Sequence, residues 1–149
     1  MITIGFSTRK TNEDFINHLS SSCGLKKIQI IEKINNGDKS LSQVYNEILN
    51  ESENDIVVFC HDDIEFDTKN WGSKLIKLFN KNSEYGILGI AGTTDMIDGR
   101  WWTIRESMTG IVSHKHEGKK WTNTYSPDQG NKIKEVVVLD GLFFVVNKT

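Results

Sequence analysis

At 149 residues the chain is long enough for one real core and too short for two comfortable ones, so a single domain over 1–149 is expected. Its formal net charge of −2, with paired lysines only at Lys26-Lys27 and Lys119-Lys120, gives no basic stripe and argues against nucleic acid as a partner. No apolar run approaches the roughly 18 residues of a membrane span, and the start lacks a signal peptide's basic-then-apolar order. The expected place is cytoplasmic, with peripheral attachment at the inner membrane face as the alternative. Cys23 and Cys60 read as free thiols of a reducing compartment.

Ile2-Thr3-Ile4-Gly5-Phe6 predicts a first strand, followed by the polar Ser7-Thr8-Arg9-Lys10. Thr11 or Asn12 then caps a helix whose first turn holds Glu13 and Asp14 and whose apolar side is Phe15, Ile16 and Leu19, closed by Cys23-Gly24. His18 reads as a surface residue of that helix. Ile28 to Ile31 is a second strand running out into Asn35-Asn36-Gly37. Ser40-Leu41-Ser42-Gln43 has the form of a capping box, and Leu41, Val44, Tyr45, Ile48 and Leu49 follow at helical spacing. Asn46 lies off the centre of that stripe, facing either the strand ends or solvent.

Ile56 to Cys60 is an apolar run without alternation, the pattern of a strand buried on both faces, and it ends abruptly in His61-Asp62-Asp63. Trp71 to Phe79 predicts a third helix, and Gly86 to Ala91 a fourth strand ending at Gly92-Thr93-Thr94-Asp95. Alternating strand and helix in this way predicts right-handed crossovers and an α/β, doubly wound, mostly parallel sheet. Ligands bind beyond the carboxyl ends of such strands. Ser7 and Thr8, Asn35 and Asn36, His61 to Asp63, and Thr93 to Asp95 all fall at that end. Two adjacent aspartates repel each other, and a hard cation shared with a ligand phosphate relieves the conflict. Alternatively, one of Asp62 and Asp63 caps a turn and the other meets solvent, and Asp95 and Asp98 serve turns.

Beyond Asp95 the helix-strand rhythm stops. Gly99-Arg100-Trp101-Trp102 reads as a loop. Ile111 to His116 reads as a strand edge, with His114 and His116 on one face as metal ligands or as solvated residues. The polar Glu117-Gly118-Lys119-Lys120 follows, and the single proline, Pro127, lies in a polar stretch. Lys134 to Leu139 and Leu142 to Val146 predict two more strands around Asp140-Gly141. The last third is therefore expected to be a mixed C-terminal extension of the sheet.

Several stretches, in order, resemble the family 2-like glycosyltransferases of the GT-A (Rossmann-like) fold, in particular the bacterial subgroup with His-x-Asp in place of Asp-x-Asp. They are Ser40 to Asn46, Val58 to Asp63, Gly89 to Gly92, Gly99 to Trp102, and Val138 to Phe143. The resemblance implies transfer of a sugar, with inversion, from a nucleotide-diphosphate sugar (a UDP- or GDP-sugar) to a hydroxyl of a saccharide or other acceptor. It implies a divalent ion, Mn²⁺ or Mg²⁺, held by His61 and Asp63, with Asp62 towards the donor ribose or sugar. Ser7, Thr8, Asn35, Asn36 and Asn46 would line the donor side.

Asp140 is the family-like candidate for the catalytic base, although Asp-Gly between two apolar runs is also a hairpin signal. Trp101 and Trp102 would stack on a sugar or plug a core edge. Relatives continue with an acid-rich segment beyond this point. A second expectation is thus a catalytically incomplete remnant that binds a nucleotide or a partner protein. A phosphohydrolase or receiver-like site ranks last, because such sites want acids after the first strand, where this chain has Ser7, Thr8 and Arg9.

Overall fold

The computed structural model describes residues 1–97, 99–125 and 132–149; Asp98 and Pro127 lie outside them. The chain divides into two compact units, one formed by Met1–Leu88 with Leu142–Thr149, the other by Gly89–Gly141.

The first unit is built on β1 (Ile2–Thr8), every residue of which is buried except the half-buried Ser7. β2 (Gln29–Ile34) and β3 (Ile56–Cys60) flank it, both parallel to β1. α1 (Glu13–Cys23) joins β1 to β2, and α2 (Leu41–Glu51) joins β2 to β3 on the other side of β1. Strand alternation sorts the core. Ile2, Ile4 and Phe6 of β1 and Val58 and Cys60 of β3 pack with Phe15, Leu19 and Cys23 of α1 and with Trp71 and Phe79. Val57 and Phe59 of β3 turn the other way, onto Val44 and Ile48 of α2. Helices therefore cover both faces, as right-handed crossovers in opposite directions from β1 require. Gly5 lets α2 approach closely, since a Cβ there would overlap Cγ2 of Ile48.

Local sequence explains the helix ends. Asn12 caps α1, its Oδ1 accepting from the Phe15 amide at 3.2 Å, and Gly24 closes it at φ 74°. Ser40 and Gln43 form the capping box of α2 reciprocally, at 3.3 and 2.9 Å. α3 (Trp71–Lys81) follows an irregular stretch that is pinned to α1. His18 Nε2 accepts from the Phe66 amide at 2.9 Å, and Phe66 stacks on Trp71 with centroids 4.3 Å apart. His18 is thus half-buried and structural, not a surface residue: its ring serves as the acceptor that the Phe66 amide needs.

The predicted fourth strand is two. β4 (Ile87–Gly89) belongs to the first sheet, and after Ile90 the chain enters β5 (Ala91–Thr93) of a second. The place beside β3 is taken by β9 (Phe143–Asn147), antiparallel to it, giving the order β2-β1-β3-β9-β4. The first sheet is therefore mixed, and the protein is α/β.

The second unit is a four-stranded sheet in the order β7-β6-β5-β8, formed by β6 (Met108–His116), β7 (Lys119–Thr124) and β8 (Val138–Leu139) with β5. The pairings β5–β6, β5–β8 and β6–β7 are all antiparallel. β7 was not predicted, because Lys119-Lys120 reads as loop and its residues are largely exposed. Glu117 and Gly118, at φ 48° and 77°, form the two-residue turn that suits hairpin twist. The strand expected from Lys134 is reduced to Val138–Leu139.

Candidate functional site

An open cleft of about 560 Å³ lies in the first unit beyond the carboxyl ends of the parallel strands. Its walls are Ser7, Thr8, Arg9 and Lys10 after β1, Asn35 and Gly37 after β2, Leu41 at the start of α2, and Asp62 after β3. This is the point where the chain reverses its direction of travel across the sheet, the usual crevice of open α/β folds.

Each wall is shaped by its own backbone. Thr8 is buried, and its Oγ1 donates to the Lys10 carbonyl at 3.0 Å, bending the chain so that Arg9 and Lys10 stand exposed at the rim. The Asn35 amide donates to the Thr8 carbonyl at 2.8 Å and ties the ends of β1 and β2 together. The Asn35 side chain accepts from the Gly37 and Lys39 amides and donates to the Lys39 carbonyl. Both of its polar atoms therefore hold the loop that leads into α2. Leu41, expected in the apolar stripe, is 43% exposed and faces the cleft instead, because the first turn of α2 rises beside the strand ends. That first turn carries the positive end of the helix dipole.

Asp62 is half-buried, and its carboxylate acts on two neighbours. Burial, then the Cys60 thiol, then Asp62 push the Tyr45 hydroxyl up to about 12. Burial, with a smaller contribution from Asp62, pushes the Cys60 thiol up to about 12. Tyr45 completes an aromatic group behind the acid, 4.7 Å from Phe59 and 5.7 Å from Phe144 between centroids. The His61 amide donates to the Leu142 carbonyl at 3.1 Å, extending the β3–β9 ladder by a step.

Of the residues singled out from sequence, Ser7, Thr8, Asn35 and Asp62 meet in this cleft. His61, Asp63, Asn36 and Asn46 are exposed and do not line it. Arg9 and Lys10 were missed as site residues; the available signal was a basic pair directly after the first strand. Among the described residues, no group of three or more His, Cys, Asp or Glu side chains converges as a cage for a metal ion. What is present is one half-buried carboxylate on a roomy cleft, and no described lysine or arginine forms an ion pair with it. That donor set fits an ion held by one or two carboxylates and completed by phosphate oxygens, as Mg²⁺ is commonly bound.

The remaining candidates belong to the second unit. Trp101 is half-buried and meets Tyr125 edge-on at 5.5 Å, whereas Trp102 is 59% exposed. The Asp140 amide donates to the Ala91 carbonyl at 2.9 Å. Asp140-Gly141 is not a hairpin turn, because β8 pairs with β5 and β9 pairs with β3. His114 and His116 gather no third metal ligand among the described residues.

Fold and cleft together define an α/β protein with a polar, partly basic crevice at the ends of parallel strands. The chain belongs to a glycosyltransferase-like family, whose profile matches residues 7–149. A search of curated proteins finds no match. Membership supports a glycosyltransferase-type function, with a sugar donor and an acceptor as partners in general terms. Among the described residues no helix is long and apolar enough to cross a membrane.

Proposed function

We propose that the protein transfers a sugar, with inversion, from a nucleotide-diphosphate sugar to an acceptor hydroxyl, and that the donor's diphosphate binds in the cleft between β1, β2 and β3. The observation that carries this is that Arg9, Lys10 and Asp62 line one crevice at the strand ends. Two cations and a helix start favour the diphosphate, while Asp62 would repel it unless a cation intervened. Asp62 would hold Mn²⁺ or Mg²⁺ against the diphosphate, with the phosphate oxygens completing the shell, and the ion's charge would stabilise the departing group.

Ser7 and Thr8 would contact the nucleotide, and Asn35 would keep their loop in register. The alternation of parallel strands and crossover helices on both faces supports the GT-A reading of the first unit. The acceptor oxygen would form its bond to the sugar carbon as the bond to the diphosphate breaks, and Asp140 would take the acceptor's proton. Trp101 and Trp102 are the proposed acceptor platform. UDP- and GDP-sugars are the expected donors, and one catalytic domain over 1–149 is the expected organisation.

Calorimetric titration with UDP- and GDP-sugars, with and without Mn²⁺, tests the reading. The expected result is metal-dependent binding that Asp62→Asn weakens about tenfold or more, the worth of a charge-assisted contact of ~1.5–3 kcal/mol. Failure to bind any nucleotide diphosphate, with metal or without, overturns it. Donor binding without hydrolysis or transfer supports the incomplete remnant instead.

A further inference from the structure

The β6–β7 hairpin carries side chains that the donor cleft does not use. Its register sets His114 against Trp121 and His116 against Lys119. Strand alternation then puts Val112, His114 and His116 on one face with Asn123, Trp121 and Lys119. On that face the His114 imidazole lies parallel to the Trp121 indole, with centroids 5.3 Å apart and an interplanar angle of 15°. Asn123 Nδ2 lies 3.1 Å from His114 Nε2 and 3.2 Å from the Tyr125 hydroxyl. Tyr125 in turn receives Trp101 edge-on.

With Asn123 Nδ2 donating, His114 Nε2 is the acceptor and the imidazole proton sits on Nδ1. The imidazole stacks against the indole, and Trp121 nevertheless remains 47% exposed. The strip therefore offers an exposed aromatic ring beside an imidazole N–H, an amide oxygen and a phenolic O–H. Core packing does not account for it, since Val112 alone of the six paired residues on this face is buried. Sugar rings present a C–H face to stack on an aromatic ring and hydroxyls that need both donors and acceptors.

Charge narrows the class. Lys119 stands on the same face at the tip, next to His116, whereas Lys115 and Lys120 pair on the opposite face; the only acid from Met108 to Thr124 is Glu117 in the turn. In a chain of net charge −2 this is a locally positive segment.

We propose that this hairpin face is a binding site for an oligosaccharide bearing carboxylate or phosphate groups, with Trp121 as the stacking platform and Lys119 as the anion contact. The site shares no residue with the donor cleft. Naming such a glycan as the acceptor rests on the transferase reading above; the binding itself needs neither donor nor metal.

The test is a titration of the full chain with a galacturonic acid hexamer and with cellohexaose, in the absence of nucleotide and metal, followed by tryptophan fluorescence and calorimetry. The uronate is expected to bind and the neutral hexamer to bind at least about tenfold more weakly. Trp121→Ala is expected to weaken uronate binding about tenfold or more, as removal of a central aromatic anchor does. Trp121→Phe should retain most of it, and Lys119→Gln should lower both the affinity and its salt dependence. Nucleotide-sugar binding should be unchanged in all three, which separates this site from the donor site. The proposal is overturned if the uronate does not bind, if Trp121→Ala or, should that variant unfold, Lys119→Gln leaves its affinity intact, or if cellohexaose binds as tightly.

Discussion

Replacing Gly5 by alanine tests how α2 is seated on the sheet, and through it one wall of the cleft. The new methyl would overlap Cγ2 of Ile48, and Cβ of the same residue would lie 3.3 Å away. Ile48 is fully buried and β-branched, so it cannot swing aside: one χ1 rotamer dominates for isoleucine in a helix. Overpacking of this kind costs typically ~1–3 kcal/mol. Gly5 is not among the residues at positive φ, so alanine adopts its backbone without strain and recovers ~0.4–1 kcal/mol from the unfolded chain. The net expectation is a loss of about 0–2.6 kcal/mol, a fall of up to several degrees in Tm for a chain of this size.

Ile48→Ala alone should cost ~2–5 kcal/mol through its cavity. The double variant should lose clearly less than the sum, because each change relieves the other. Urea unfolding of the four proteins, followed by tryptophan fluorescence, measures the cycle. Because Leu41 on the same helix lines the cleft, Gly5→Ala should also weaken nucleotide binding, and Ile48→Ala added to it should restore part of the affinity. Strict additivity of the cycle would refute the close approach of α2 to β1.

Other expectations follow from single contacts. Ser40→Ala removes half of the capping box and should cost about 1 kcal/mol in urea unfolding. His18→Ala leaves the Phe66 amide without its acceptor and should destabilise by ~1–3 kcal/mol, with faster hydrogen exchange at Phe66 as the diagnostic readout; unchanged exchange there refutes the pin. Cys23 and Cys60 are both buried, with thiols that burial holds in the neutral form, so neither should react with iodoacetamide at pH 8 until denaturant is added. Alkaline stability should fall early. Cys60 moves from its ordinary 9.0 to about 12 and Tyr45 from 10.0 to about 12, so their contribution is whole below pH 9, where both states keep their protons. As pH rises towards 12 the unfolded chain releases these protons first and the contribution is lost. Cys60→Ala and Tyr45→Phe should flatten that decline, and an equally steep decline in both variants would remove these groups as its cause.

How far the sequence announces this structure depends on how local the cause is. The capping box at Ser40 and Gln43 and the apolar run of β3 are decided by neighbours a few residues apart, and they appear as expected. The polar ends of β1, β2 and β3 follow from the same local punctuation, so Ser7, Thr8, Asn35 and Asp62 were identifiable as companions. Arg9 and Lys10 stand at the same rim, but a basic pair after a strand is equally the pattern of an ordinary solvated turn. The seat of β9 beside β3 was not legible: Val145 pairs with Val58 across 87 residues of chain, and no short pattern records that choice. The division at Ile90 depends on it, since β4 borders β9 rather than β3. β7 is held by cross-strand partners rather than by apolar alternation, and Lys119-Lys120-Trp121 shows no period of two.

The return of Phe143–Asn147 to the middle of the first sheet has a consequence for biosynthesis. While the ribosome is still adding residues 89–142, β3 and β4 lack the strand that lies between them, and the apolar side chains that will enclose Phe143 and Val145 stay open to chaperones and to other nascent chains. The parallel trio can assemble early, but the sheet closes only when Phe143–Asn147 has emerged and slides between two strands already made.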